Sequence, residues 1–244
     1  MRWVIGCSGF HYREWKGVFY PDDLPQRRWF EYYASQFDTL ELNTTFYRFP
    51  QLKTLQKWYD ASPAGFIFSV KAPRLITHYK RFKDSQSLLH DFYSTSRGGL
   101  QEKLGPVLFQ FPPNMFFTEE MLFGIIEALD PSFLNVVEFR HVSWWSPAVY
   151  TELAKRNIIF SGTSHPSLPQ TVIAGQPDAY YRFHGIPRIF YSAYTKKQLK
   201  SFADEMIQYP VLKQSYIYFN NTASTAAIRN AGWLKKYTNS LQLS

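Results

Sequence analysis

Cysteine is almost missing from this chain: Cys7 is the one example in 244 residues. A single thiol excludes an internal disulfide and an all-cysteine metal site, and it suits a reducing cytoplasm. No apolar stretch approaches the roughly 20 residues that span a bilayer. The opening Met1-Arg2-Trp3-Val4-Ile5 reads as a strand rather than a signal peptide, so a cytoplasmic protein with no membrane partner is expected. No run of like charges explains the formal net charge of +8, which excludes a basic tail. The excess therefore sits on a diffuse positive surface or in a positive pocket. Neither an HExxH motif nor paired-histidine spacing occurs, and no internal repeat or domain linker is visible.

Aromatics, by contrast, are abundant, with 17 Tyr, 22 Phe and 7 Trp. One reading is a core filled with rings, each burying about 150–250 Å². The other is a groove with stacking walls for bases or sugars. The composition favours the core, because most large side chains of a globular protein are buried.

Short β-branched and aromatic runs alternate with segments of helical period. Strands are predicted over Trp3–Ser8, Thr39–Asn43, Phe66–Lys71, Val107–Gln110, Asn135–Arg140, Ile158–Ser161, Ala179–His184 and Ser215–Asn220. Helices are predicted over Gln26–Phe37, Leu52–Ala61, Ser85–Leu100, Thr118–Leu129, Ala148–Arg156, Thr195–Gln208 and Thr225–Tyr237. Ser85 and Thr118 are candidate caps, and Pro147 stands ahead of the fifth helix. This alternation implies parallel strands with right-handed crossovers, the arithmetic of a single-domain α/β (β/α)₈ TIM barrel. A doubly wound dinucleotide fold competes, but Gly6-Cys7-Ser8-Gly9-Phe10 lacks its third glycine. Pro166, Pro169 and Pro177 interrupt residues 164–178, so the sixth helix is expected to be missing or irregular.

Side chains alternate faces along a strand, so parity sorts them. One face of most strands is apolar, while the other turns polar toward its C-terminal end. Parity gathers Glu41, Asn43, Lys71, Gln110, Glu138, Arg140, Arg182, His184 and Asn220 at the barrel rim where active sites of this fold lie. Three cations against two carboxylates leave an excess positive charge, which favours a phosphate, sulfate or carboxylate. Glu41, Glu138 and His184 are the candidates to move a proton. The following loops add Tyr12, Trp15, Tyr47, His78 and Trp144 as walls or further contacts. A self-neutralising ion-pair network is the structural alternative for the same charges. No cofactor is implied, and a divalent metal is disfavoured by the neighbouring cations without being excluded. Cys7 reads as a small buried residue rather than a nucleophile.

The segments GCSGFHYREWKGVFYP (6–21), FDTLELNTTFYRFP (37–50) and FSVKAPRLITHYKRF (68–82) resemble the YecE-like family, a domain of unknown function (number seventy-two). LGPVLFQFPP (104–113), VEFRHVSWW (137–145), YYRFHG (180–185) and YIYFNN (216–221) extend that resemblance over nearly the whole chain. It implies a TIM barrel and brings no assigned reaction. The family's motif residues fall on Glu41, Asn43, Lys71, His78, Gln110, Glu138, Arg140, Arg182, His184 and Asn220. Phe10 stands where relatives often have Trp. Ser161 and Gly162 stand where relatives often place an acidic residue, which bears on activity if that acid takes part in the chemistry. Three function classes follow: a hydrolase or lyase acting on an anionic small molecule, a nucleic-acid-binding or processing protein, and a non-catalytic metabolite- or partner-binding barrel. The oligomeric state is not legible.

Overall fold

The computed structural model describes residues 1–241. They form two compact units, one from Met1–Leu40 together with the chain from Gly162 onward, the other from Glu41–Ser161. The strands are β1 (Arg2–Cys7), β2 (Thr39–Leu42), β3 (Ile67–Lys71), β4 (Leu104–Gln110), β5 (Asn135–Glu138), β6 (Ile159–Phe160), β7 (Gly162–Ser164), β8 (Asp178–Phe183) and β9 (Gln214–Phe219). Helices α1 (Trp29–Gln36), α2 (Thr44–Tyr47), α3 (Leu52–Ala61), α4 (Gln86–Leu100), α5 (Glu119–Ala128), α6 (Pro147–Ala154), α7 (Lys196–Met206) and α8 (Ala226–Leu241) lie between or after them.

The sheets have orders β2-β3-β4-β5-β6 and β1-β9-β8-β7. Pairing is parallel from β3 through β6 and from β7 through β9 to β1. β2 to β6 and β7 to β9 each follow the chain, β1 lies beside β9, and the reversal that a doubly wound sheet requires does not occur within β2 to β6. The expected sixth strand, Ile158–Ser161, shortens to Ile159–Phe160, and a strand that the sequence did not suggest, β7, follows it. Ile159 and Phe160 pair with β5, and the Ser161 amide donates to Val137 O at 2.8 Å. From Gly162 the chain pairs with β8 instead. A Cβ at Gly162 would lie 2.6 Å from the Tyr181 ring and 2.8 Å from Thr171 O, so no acidic side chain fits there without displacing them.

Helix ends follow local chemistry. Thr118 accepts from the Met121 amide, Ser146 accepts from the Val149 amide with Pro147 in the first turn, and Thr195 with Gln198 forms a capping box. Ser85 stands at the start of α4 but does not cap it. Its backbone (φ −112°, ψ 4°) is not extended, and its hydroxyl donates to Lys83 O at 3.0 Å. One 3₁₀ turn, Gln26–Arg28, replaces the predicted first turn of α1 behind Pro25. β4 begins earlier than predicted, at Leu104, because a register shift between Phe68 and Val70 lets the sheet carry Pro106, which has no amide proton. No helix occurs between β7 and β8, where the three prolines stand.

Most rings are core. In the Glu41–Ser161 unit Phe111 stacks on Phe139 at 4.8 Å. In the other unit Phe183 stacks on Phe219 at 4.7 Å and meets Phe202 edge-on at 4.9 Å. Phe10 packs 5.3 Å from Phe30. Gly6, the first glycine of the chain's opening motif, serves packing rather than phosphate. A Cβ there would sit 2.4 Å from Thr39 O and 2.9 Å from the Tyr33 hydroxyl. Cys7 is fully buried, which raises its thiol pKa far above the ordinary value and removes it as a nucleophile.

Candidate functional site

In the five-stranded sheet, parity and register act together. Lys71 lies opposite Leu108, and Gln110 opposite Glu138, so Lys71, Gln110 and Glu138 share one face at the C-terminal ends of β3, β4 and β5. All three are buried. The Lys71 ammonium donates to Gln110 Oε1 at 2.9 Å, and Gln110 Nε2 donates to Phe111 O at 2.9 Å, which fixes the amide's orientation. Arg140, two residues past β5, donates from Nε to Glu138 Oε1. Its side chain keeps 12% of its surface exposed, whereas that of Glu138 keeps none.

Loop residues complete this group. The Phe46 ring lies 3.9 Å from Lys71 Nζ, and the His78 ring stands edge-on to Phe46 at 5.0 Å. The Thr45 hydroxyl donates to Lys71 O at 2.6 Å and ties α2 to the end of β3. His78 belongs to a single π-helical turn, Leu75–Tyr79, closed by the Lys80 amide on Leu75 O at 2.9 Å. Such turns recur at functional sites, and no local sequence signal announced this one. Burial first, and then the positive charges of Lys71, Arg140, Arg74 and Arg81, lower the His78 pKa to about 4. His78 is therefore a neutral imidazole at pH 7, with its Nδ1 2.8 Å from Thr77 Oγ1.

Glu41 is fully buried at the end of β2. Asn43 follows it, and its Oδ1 is buried with no hydrogen-bond partner among the described residues. Tyr47 is exposed.

The four-stranded sheet carries the remaining candidates. Arg182, fully buried on β8, lies between Thr163 and Tyr218 in the register. His184, one residue past β8, is fully buried and accepts at Nδ1 from Asn220 Nδ2, 3.0 Å away. When neutral, His184 then carries its proton on Nε2. The His165 ring stands 5.8 Å from it.

Two expected walls are not walls. Trp15 is fully buried and donates from Nε1 to Ser224 O at 3.0 Å. Trp144 is fully buried, stacks on Phe139 at 3.8 Å and donates to Met115 O at 2.8 Å. Both indoles satisfy their one polar atom internally, as core tryptophans do. Tyr12 is half-buried, and its hydroxyl is committed to Ser8 O at 2.6 Å. Sequence reasoning also missed Lys103, a buried cation whose ammonium donates to Tyr59 O (2.7 Å), Ser62 O (2.8 Å) and Ser62 Oγ (2.9 Å). Those three acceptors mark it as structural. Among the described residues no group of three or more His, Cys, Asp or Glu side chains is placed to hold a metal ion.

The chain resembles D-psicose 3-epimerase from Clostridium cellulolyticum H10 in fold alone, at 8% identity, with a TM-score of 0.59 over 98% of this chain and 99% of that one. This is an α/β protein of TIM-barrel-like fold, with buried cations and carboxylates at strand C-termini. It belongs to the family described as "Protein of unknown function DUF72", whose model matches residues 4–243. A DUF72 family protein of Thermotoga maritima, TM1631, is 28% identical, with a TM-score of 0.88 over 98% of this chain and 100% of that one. The UPF0759 protein YunF of Bacillus subtilis is 29% identical over 54% of this chain and 50% of its own length. UPF0759 protein YecE of Escherichia coli K12 is 26% identical over 52% and 47% respectively. The matched region thus spans about half the length of these curated relatives.

Proposed function

We propose that the β3–β5 cluster binds an anion and that the protein is a cytoplasmic enzyme, of hydrolase or lyase type, acting on a phosphate- or carboxylate-bearing substrate. The observation that carries this reading is geometric: the buried Lys71 ammonium, 2.9 Å from Gln110 Oε1, and Arg140 stand at the C-terminal ends of β3 and β5, beside a half-buried His78 whose pKa burial and then nearby cations lower. Lys71 is buried and the Arg140 side chain keeps only 12% of its surface exposed, so an anion held by the two would be little screened by water. Lys71 and Arg140 would hold the anion, with the Gln110 amide and Glu138 orienting them. The orphaned Asn43 Oδ1 suits a substrate hydroxyl or amine, since leaving a buried acceptor unpaired costs about 1–3 kcal/mol. Glu41 and Glu138, both fully buried, are the candidate proton carriers in this unit. His184, oriented by Asn220, is a separate acid/base candidate. The closed (β/α)₈ barrel belongs to the same proposal, supported by the sequential order of β2 to β6 and of β7 to β9 and by the pairing of β1 with β9.

Isothermal titration with inorganic phosphate, sulfate and acetate tests the binding step, before and after chelator treatment. Saturable binding is expected to survive the chelator and to weaken at least about tenfold in Lys71→Met and in Arg140→Met, as loss of a charge-assisted contact requires. A turnover screen of phosphate esters and carboxylates then tests the reaction. Binding without turnover of any of them would favour a metabolite-binding barrel instead.

A further inference from the structure

Among the large apolar side chains of the described residues, four stand out as more than half exposed: Tyr47 at 66%, Tyr79 at 64%, Phe116 at 61% and Val142 at 56%. They are not scattered. One follows each of β2, β3, β4 and β5, neighbours in the same sheet and on the same C-terminal side as Lys71 and Arg140. The Arg74 guanidinium lies 5.7 Å from the Tyr47 ring and 5.4 Å from the Tyr79 ring, and His141 stands edge-on to Phe116 at 4.3 Å. The loops that hold these side chains, residues 43–51, 72–85, 111–118 and 139–146, contain Arg48, Arg74, Lys80, Arg81, Lys83 and Arg140 against one carboxylate, Asp84.

Exposing large rings to water is unfavourable unless a partner covers them, and clustering marks a binding surface. Neighbouring strands lie about 4.8 Å apart, so rings at three successive strand ends spread over roughly 10 Å, with Val142 extending the apolar rim past β5. That is wider than one base, and a small anion held by Lys71 and Arg140 would leave the rim bare. Flat π-faces interleaved with cations match a chain of bases joined by phosphates. An acidic peptide would use the charges but not the ring faces.

We propose that this rim binds single-stranded nucleic acid, with bases stacked on Tyr47, Tyr79 and Phe116 and phosphates on the loop cations. Resting on the anion-site reading above, it places one phosphate of the strand at Lys71 and Arg140. The substrate class of that site is then a nucleic-acid strand rather than a free metabolite.

The test is fluorescence anisotropy of a labelled dT12 strand, with a hairpin duplex, inorganic polyphosphate and phosphatidylserine vesicles as competitors. We expect dT12 to bind more tightly than duplex or polyphosphate, with an affinity that falls steeply as salt rises. Tyr47→Ala, Tyr79→Ala and Phe116→Ala should each weaken dT12 about tenfold, as loss of one stacked base does. All three rings are exposed, so folding should be retained, and circular dichroism checks it. Tyr79→Ala and Phe116→Ala should leave inorganic phosphate affinity unchanged. Equal competition by polyphosphate, preference for vesicles, or unchanged dT12 binding in the ring variants would overturn the proposal. If phosphate still binds in a Lys71-dependent way, only the rim assignment falls. If phosphate binding is also absent, the anion site falls with it.

Discussion

Trp144→Ala is expected to lower stability by about 3–5 kcal/mol, the range for truncating a buried large aromatic. For a chain of this size that corresponds to a fall of roughly 10–15 °C in Tm. The indole is fully buried, parallel to Phe139 with a 4° interplanar angle, and edge-on to Phe117 at 5.2 Å. Alanine would leave a cavity beneath the end of β5 and strip Met115 O of its donor. Trp144→Phe should recover most of the loss, because it keeps the stack and forfeits one hydrogen bond worth about 1 kcal/mol. Tyr47→Ala is the contrast: its ring is exposed, so Tm should move little. Calorimetry on the three variants decides the matter. A Trp144→Ala protein of unchanged Tm that had lost ligand binding would restore the indole as a pocket wall.

The Glu138–Arg140 pair should show the second large effect. Arg140→Met leaves the fully buried Glu138 carboxylate without its guanidinium, and breaking a buried pair from one side costs about 3–5 kcal/mol. Glu138→Gln should cost less, since Arg140 retains some access to water. In the double variant Glu138→Gln/Arg140→Met the buried carboxylate that faced Arg140 is removed as well, so most of the stability should return while sulfate affinity stays lost. Stability and binding therefore part company across the cycle. A double variant as unstable as Arg140→Met would mean that the stability loss comes from packing. Recovery of sulfate affinity in it would remove Arg140 from the binding site.

Much of this arrangement was legible in the chain, for identifiable reasons. The period of two in FSVK, VLFQ and NVVE was enough to put Lys71, Gln110 and Glu138 on one face, because pairing in register preserves parity. Prolines at 166, 169 and 177 foretold the missing helix. Strand β7 was not legible: it is three residues long and begins at a glycine just past the predicted strand Ile158–Ser161, and the change of pairing partner leaves no local trace. The burial of Trp15 and Trp144 was hidden by polar neighbours, since the acceptors of both indoles are main-chain carbonyls that any residue could supply. His78 was flagged, but its lowered pKa depends first on burial and then on cations that only the folded loops bring near it. The exposed ring after each of β2, β3 and β4 needed burial values to be recognised, because the aromatic surplus of the chain concealed it.

A histidine inside a cationic field reports directly on whether an anion enters that field. Following the His78 ring by NMR through acid pH, with and without sulfate, reads it at one atom. In the free protein the midpoint should lie at about 4. An ordinary histidine titrates near 6.5, so from there down toward 4 the unfolded chain takes up the proton first and folding weakens as pH falls. Sulfate keeps its charge over this range. Bound beside Lys71 and Arg140 it should raise the His78 midpoint by about one unit or more, and by linkage bind more tightly as His78 protonates. A free-protein midpoint near 6.5, or one that saturating sulfate leaves in place, would contradict an anion site at the ends of β3–β5.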